Sequence, residues 1–263
     1  MYRISVIMGL YNCGETLLQA LQSLESQTFK DFIIIMCEDG SVDNTLEIAR
    51  HYSETHKNVL LLENETNMGL NYTLNRCIAH VETEYVARMD GDDISLPERF
   101  EKQVHFLDTH PEYSIVSSSM IRFDEKGDFK TDKVIEYPQI MDLFKGCPIS
   151  HPACMIRTEA IKKVGGYSEG KCLLRQEDYH LWFKMYAAGY KAYNIPEPLY
   201  RFRDDKNAYK RRNWMDRKNE MHVINMGVDM CGFPFYYKVF AIRPLIAHIT
   251  PYWLYNIYHK GFK

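Results

Sequence analysis

The chain has 263 residues, 46% of them hydrophobic and 25% charged, with a formal net charge of -3. At about 150 residues per domain this is one large domain, or a domain with an appendage, with the composition of a globular enzyme-sized protein. No run of about 18 apolar residues marks a transmembrane helix. The apolar run after Arg3 reaches only Met8 and has no cleavage site, so a secretory signal is not expected. Seven cysteines, odd in number and without a C-x-x-C pair, point to reduced thiols in a cytoplasmic protein.

The charge is unevenly spread. Residues 1–200 hold 20 Lys and Arg against 30 Asp and Glu, whereas residues 201–263 hold 12 against 5. An acidic body with a basic, aromatic tail argues against nucleic acid as a partner. It suits a body that does chemistry and a tail that docks on something anionic.

In chain order, residues 4–8 read as a strand ending at Gly9, and residues 15–26 as a helix with Leu17, Leu18, Leu21 and Leu24 at helical spacing. Residues 32–37 are a second apolar strand closed by Asp39-Gly40-Ser41, and 44–52 a helix. Residues 59–62 are a third strand, a helix opens at Gly69, and 85–89 is a fourth strand running into acidic residues. This alternation predicts βαβ units in a mainly parallel sheet with helices on both faces. The second half is less regular. Helices are expected over 97–108, 158–163 and 177–188, and strands over 114–123, 153–157 and 199–202. Residues 125–128 read as a turn, Pro196 and Pro198 as bracketing a bend, and helix is expected beyond Asp204. The simplest division is a domain over 1–203, with halves at about 1–96 and 97–203, and a C-terminal extension over 204–263.

In parallel α/β sheets ligands bind at the carboxyl ends of the strands. Each predicted end carries polar residues: Tyr11 and Asn12, then Glu38 and Asp39, then Asn67, then Asp90, Asp92 and Asp93. Three carboxylates within four residues repel one another unless a cation joins them, and oxygen ligands suit Mg²⁺ or Mn²⁺. A solvated acidic loop is the plain alternative. Gly91 is expected to let backbone approach a ligand. Asp39 could accept hydrogen bonds from a nucleobase or serve only in a capped turn, with Ser41 and Asn44 as the candidate caps. Tyr11 offers a face on which a base can stack.

Glu177 and Asp178 head a predicted helix, where a carboxylate is either a cap or a general base. His151, Arg201 and Arg203 are further candidates, against readings as a loop residue and solvated arginines. Neither G-x-G-x-x-G nor a P-loop motif is present. A nucleotidyltransferase is disfavoured, because residues 9–14 contain no Lys or Arg.

The ordered series 5–12, 38–45, Asn67-Met68-Gly69-Leu70, Asp90-Gly91-Asp92-Asp93, His151-Pro152, Gly165-Gly166-Tyr167 and Glu177 to Trp182 resembles the family 2 inverting glycosyltransferases of the GT-A fold. These are bacterial polysaccharide enzymes of the capsule or O-antigen type, and the match covers about residues 3–203. The resemblance implies a GT-A-like α/β domain that moves one sugar from a nucleotide-diphosphate sugar, a UDP-sugar by expectation, to a glycan or lipid-linked acceptor. Tyr11, Asn12, Asp39, Asn67, Asp90 and Asp93 would bind the donor, Asp92 would hold Mg²⁺ or Mn²⁺, and Asp178 would be the base. His151, Glu177, Arg201 and Arg203 would stand on the acceptor or phosphate side. Gly9, Glu38 and His180 depart from frequent Pro, Asp and Asp. A Q-x-x-R-W motif is missing, which favours addition of one sugar per acceptor. The alternative is an inactive nucleotide-sugar-binding partner subunit.

Residues 230–263 contain no acidic residue and interleave four Lys and Arg with many aromatics. Such a segment suits a membrane interface, on the inner face of the cell membrane for a cytoplasmic protein. Packing on the catalytic domain or on a second copy in a homodimer is the alternative.

Overall fold

The structure, a computed structural model, describes residues 2–204 and 214–249. The first half alternates as expected: β1 (Ile4–Leu10), α1 (Gly14–Glu25), β2 (Phe32–Glu38), α2 (Thr45–Thr55), β3 (Val59–Glu63), α3 (Leu70–Ala79) and β4 (Tyr85–Arg88). There follow β5 (Ile94–Ser95), α4 (Arg99–Thr109), β6 (Ile115–Asp124), β7 (Gly127–Thr131) and α5 (Ile140–Leu143). Then come β8 (Met155–Arg157), α6 (Thr158–Lys163), α7 (Glu177–Ala187), β9 (Ala192–Arg203), α8 (Trp214–Met230) and α9 (Arg243–Ile249). A 3₁₀ helix, Phe235–Ile242, joins the last two.

The strands form one sheet in the order β3-β2-β1-β4-β8-β6-β9-β5, with β7 added to β6. The first four are parallel. Beyond them the sheet is mixed: β8 runs antiparallel to β4 and β6, β9 parallel to β6, and β5 antiparallel to β9. The parallel character is therefore confined mostly to the half that reads as βαβ units.

Alternation along the strands builds two cores. Ile4, Val6, Met8 and Leu10 of β1, with Phe32, Ile34 and Met36 of β2, face one side with Leu17, Leu21, Phe100 and Leu107. Ile7, Ile35 and Cys37 face the other, with Leu74, Ile161, Leu181 and Phe183. Strands buried on both faces need apolar residues at every position, which explains their continuous runs.

β5, β7 and β9 differ from the expectation. The 125–128 turn continues into β7, held antiparallel to β6. β9 starts at Ala192 and runs through Pro196 and Pro198, and the β6–β9 register shifts there, at Ser118/Ser119 and Ser119/Met120. Proline cannot donate to a ladder, so the strand survives by bulging at those residues. β5 is too short for periodicity to reveal.

The C-terminal extension packs into the second core through Val223, Ile224, Val228 and Ala241. Among the described residues no helix is long and apolar enough to cross a membrane. Gly227 sets how closely α8 meets α7: a Cβ there would stand 2.5 Å from two ring carbons of Phe183, which is fully buried. Gly227→Ala should therefore cost about 1–3 kcal/mol by overpacking. Urea denaturation measures it, and an unchanged midpoint would contradict this packing.

Candidate functional site

β4 ends at Arg88, and the chain turns at once through Asp90-Gly91-Asp92-Asp93. The fully buried guanidinium of Arg99, at the start of α4, holds this turn from beneath. Its Nη2 donates to the carbonyls of Arg88 (2.8 Å) and Cys154 (3.1 Å), and its Nε to Gln103 Oε1 (3.1 Å). It also lies 4.9 Å from the ring centre of Tyr200 on β9. Burial lowers its pKa to about 10. The Tyr200 hydroxyl in turn accepts the N–H of Asp90 (3.2 Å). From the other side, the Thr16 hydroxyl donates to the Gly91 carbonyl (2.9 Å).

Gly91 lines the cleft formed by this turn, and its lack of a side chain also serves packing. It is buried, and a Cβ there would meet Cys13 Sγ at 2.7 Å. The glycine lets the acidic turn close on the loop before α1.

Asp90, Asp92 and Asp93 converge, with one oxygen from each within 4.8 Å of the others. Asp90 pairs with buried Arg88. Asp92 keeps an open face to solvent, yet crowding by protein atoms and the charge of Asp90 push its carboxyl up to about 6. Asp93 is turned inward and 1% exposed. One of its oxygens accepts the Arg203 N–H (2.7 Å), and the other is buried without a partner. Burial, then the charges of Asp90 and Asp92, push Asp93 well above the carboxylate range. An all-oxygen donor set, mutual repulsion and an orphaned buried oxygen fit a small divalent cation such as Mg²⁺ or Mn²⁺.

The turn forms one wall of a cleft of about 590 Å³ that also takes in Tyr11, Asn12 and Arg203. The Tyr11 ring is 49% exposed there, free to stack. Asn12 has φ +50°. Its N–H donates to Ser41 Oγ (3.0 Å), and its side-chain oxygen accepts the Val42 N–H (2.9 Å). Asn12 thus ties the loop after β1 to the turn after β2. The expected caps of α2 are replaced by Asp43, whose carboxylate accepts the N–H groups of Gly14 and Thr45 (both 3.0 Å). One side chain therefore caps the start of both α1 and α2. Arg203 leans over the acidic turn, its Nε donating to the Asp92 carbonyl (2.9 Å) and an Nη to Gln19 (3.0 Å).

Other expected site residues lie elsewhere. Asp39 is buried and spends its carboxylate on the loop before α3, accepting from Asn64 Nδ2 (2.6 Å), Met68 N–H (2.8 Å) and Gly69 N–H (2.9 Å). Asn67 is exposed on that loop. Arg201 pairs with Asp128 of β7 and stacks on Phe123, outside the cleft. His151 is buried, its Nε2 2.7 Å from the Tyr167 hydroxyl and its ring edge-on to Trp182. Burial, then the charge of Arg88, depresses its pKa far below that of a free imidazole.

Asp178 and Glu177 open to different cavities. Glu177 borders one of about 280 Å³ with Met68 and Asn71. Asp178 borders one of about 340 Å³ with Cys147, Arg175, Arg217 and Arg243. Asp178 accepts its own helix's Tyr179 N–H (2.8 Å), and Cys147 Sγ lies 3.8 Å away. Burial raises the Asp178 pKa, and the charge of Arg88 acts against that rise. Arg88, buried and paired with Asp90, favours the ionised form of Asp178. Its role and that of Arg99 have no signature in spacing. Both are cations in a segment where attention falls on carboxylates.

Residues 5–165 match the model of glycosyl transferase family 2. The chain belongs to that family. EpsE of Bacillus subtilis (strain 168), named provisionally as a glycosyltransferase, is 36% identical across 98% of this chain and 93% of its own. The amylovoran biosynthesis glycosyltransferase AmsE of Erwinia amylovora is 30% identical across 98% and 99%. An Escherichia coli UDP-Gal:alpha-D-GlcNAc-diphosphoundecaprenol beta-1,3-galactosyltransferase is 32% identical across 80% and 77%. Among solved structures, Staphylococcus aureus TarS residues 1–349 with UDP-GlcNAc superposes with TM-score 0.73 over 94% of this chain and 72% of that one, at 19% identity. The mannosyltransferase PcManGT of Pyrobaculum calidifontis, with GDP-Man and Mn²⁺, gives 0.66 over 99% and 80%, at 16% identity. This family 2 chain therefore has the GT-A fold.

Arg99→Met should leave the Arg88 and Cys154 carbonyls buried without that donor. The Cys154 carbonyl keeps the Arg88 N–H (3.0 Å), so the orphaned Arg88 carbonyl should cost about 1–3 kcal/mol, read by urea denaturation. Wild-type stability would show that Arg99 is not the clamp.

Proposed function

We propose that the protein transfers a single sugar from a UDP-sugar to a lipid-linked glycan acceptor, with inversion at the anomeric carbon. The observation that carries this reading is the convergence of Asp90, Asp92 and Asp93 in a cleft beside exposed Tyr11 and Arg203. UDP-linked donors and diphosphoundecaprenol acceptors appear in the names of two relatives, 25% and 32% identical, which supports the choice of substrates.

In this reading Tyr11 stacks on the base. The loop that Asp39 holds, with Asn67 at its surface, borders the base, so Asp39 serves the donor by fixing backbone. Asp92, with Asp90 and the free oxygen of Asp93, would hold Mg²⁺ or Mn²⁺. Bound there, such an ion would supply Lewis-acid stabilisation of a leaving diphosphate. Arg203 adds positive charge on the phosphate side. Asp178 takes the proton of the acceptor hydroxyl as its oxygen bonds to the anomeric carbon and the bond from that carbon to the diphosphate breaks. Burial favours its role, because a carboxylate with a raised pKa is a better base than a free one. Glu177 borders the neighbouring cavity, on the acceptor side. His151 acts through packing, holding Tyr167 and Trp182. A lipid-linked acceptor puts the reaction at the inner face of the cell membrane. An inactive binding subunit finds no support in a site that keeps all three turn carboxylates and Asp178.

The active form of Asp178 is the anion, so turnover should fall as pH is lowered through its pKa, which lies above the ordinary value of about 3.9. Asp178→Asn should lose about 10²–10⁴ in kcat while UDP affinity is kept. Both are measured by UDP release with a diphosphoundecaprenol-linked sugar as acceptor, and full turnover in Asp178→Asn would overturn the assignment.

A further inference from the structure

The segment after α8 carries apolar side chains in a spacing that follows its own geometry. A 3₁₀ helix repeats every three residues. Along Phe235–Ile242, Tyr236, Val239 and Ile242 lie on one side, 63%, 59% and 46% exposed. The other side carries Tyr237 and Phe240, whose rings pack on Phe144 at 6.0 and 5.6 Å. Where the backbone becomes α-helical, the spacing changes to four and three residues. Ile246 and Ile249 continue the stripe, 55% and 69% exposed. Phe235, 82% exposed, stands at its head. Among the described residues the inner row, Tyr237 and Phe240, joins the segment to the core, and the core clusters include no side chain of the outer row.

We infer that the stripe Tyr236–Val239–Ile242–Ile246–Ile249 is a membrane-docking face that lies on an anionic lipid surface. A contiguous exposed apolar row of this kind marks an interaction site. The occupant follows from the surrounding sequence. No acidic residue occurs from Met230 to Lys263; of its four cations Lys238 pairs with Asp229 and Arg243 with Glu220, and Lys260 and Lys263 follow further along the sequence. The chain continues directly from Ile249 into residues rich in Tyr, Trp and Lys, the composition of a headgroup-level belt. A protein partner or a second copy would not require an acid-free segment, whereas an anionic bilayer selects for one. The same segment contributes Arg243 to the cavity of Asp178. Docking would therefore bring that cavity to headgroup height. This consequence for the acceptor rests on the function proposed above, whereas the docking itself does not.

The test is co-sedimentation of the full chain with phosphatidylglycerol–phosphatidylethanolamine vesicles, compared with the exposed double variant Val239→Asp/Ile246→Asp. Wild type should bind, and the variant should partition at least about tenfold more weakly while keeping UDP affinity and turnover on a short-chain, water-soluble acceptor. Wild type that stays in the supernatant, or a variant that binds as wild type does, overturns the inference. A vesicle-free dimer that the substitutions convert to monomers would overturn it in favour of a subunit interface. Loss of turnover on the short-chain acceptor by wild type would count against the proposed function and leave the vesicle result standing.

Discussion

The candidate site depends on one buried cation. Arg99 is fully enclosed, and its guanidinium joins the end of β4 to the residue before β8 through their carbonyls while stacking on Tyr200 of β9. Those strands carry the acidic turn, the link toward His151 and the backbone N–H that Arg203 gives to Asp93. A charge this deep is costly unless every donor finds an acceptor. Arg99 meets much of that need at the Arg88 carbonyl, and at the Cys154 carbonyl, which also accepts the Arg88 N–H, and so makes these strand ends a rigid seat. The seat matters because what rests on it is strained by charge: three carboxylates within reach of one another, with Arg88, among the described residues, as the direct ionic partner of Asp90.

Around that seat the functional groups divide by direction. The parallel half of the sheet aims Tyr11, Asn12 and the acidic turn into one cleft. Asp178, on α7, opens to a separate cavity whose wall is built by α8 and α9. Arg88 is buried, pairs with Asp90 and favours ionised Asp178. Under the function proposed above, two separate openings suit a displacement in which negative charge leaves on one side while a proton is taken on the other.

Much of this was legible in the sequence, and the reason is local. β1 to β4 and α1 to α3 follow from apolar periodicity, and the acidic turn follows from its place after an apolar strand. The GT-A resemblance reached the same clusters. What escaped depends on tertiary contact. Asp39 reads as a ligand at a strand end, but its direction depends on the loop it binds, which lies 25 to 30 residues away. Gly91 reads as room for a ligand, and it does line the cleft, but the contact with Cys13 that an added Cβ would violate has no trace in the sequence. Arg201 and Arg203 are two residues apart on β9 and point alike, yet the β6–β7 hairpin supplies Asp128 to the first alone. Asp43 outcompetes Asn44 as a cap because two helix starts converge on it. Residues 252–262, where much of the tail's aromatic and basic character lies, fall outside the described residues.

The central claim is that the Asp90–Asp93 turn binds a nucleoside diphosphate together with a divalent cation. Calorimetric titration of UDP into the protein, with Mn²⁺ or with EDTA, tests it directly. The account predicts affinity at least about tenfold tighter with Mn²⁺, and a metal effect that disappears in Asp92→Ala. Equal UDP affinity with and without the ion, in wild type and variant alike, would contradict it.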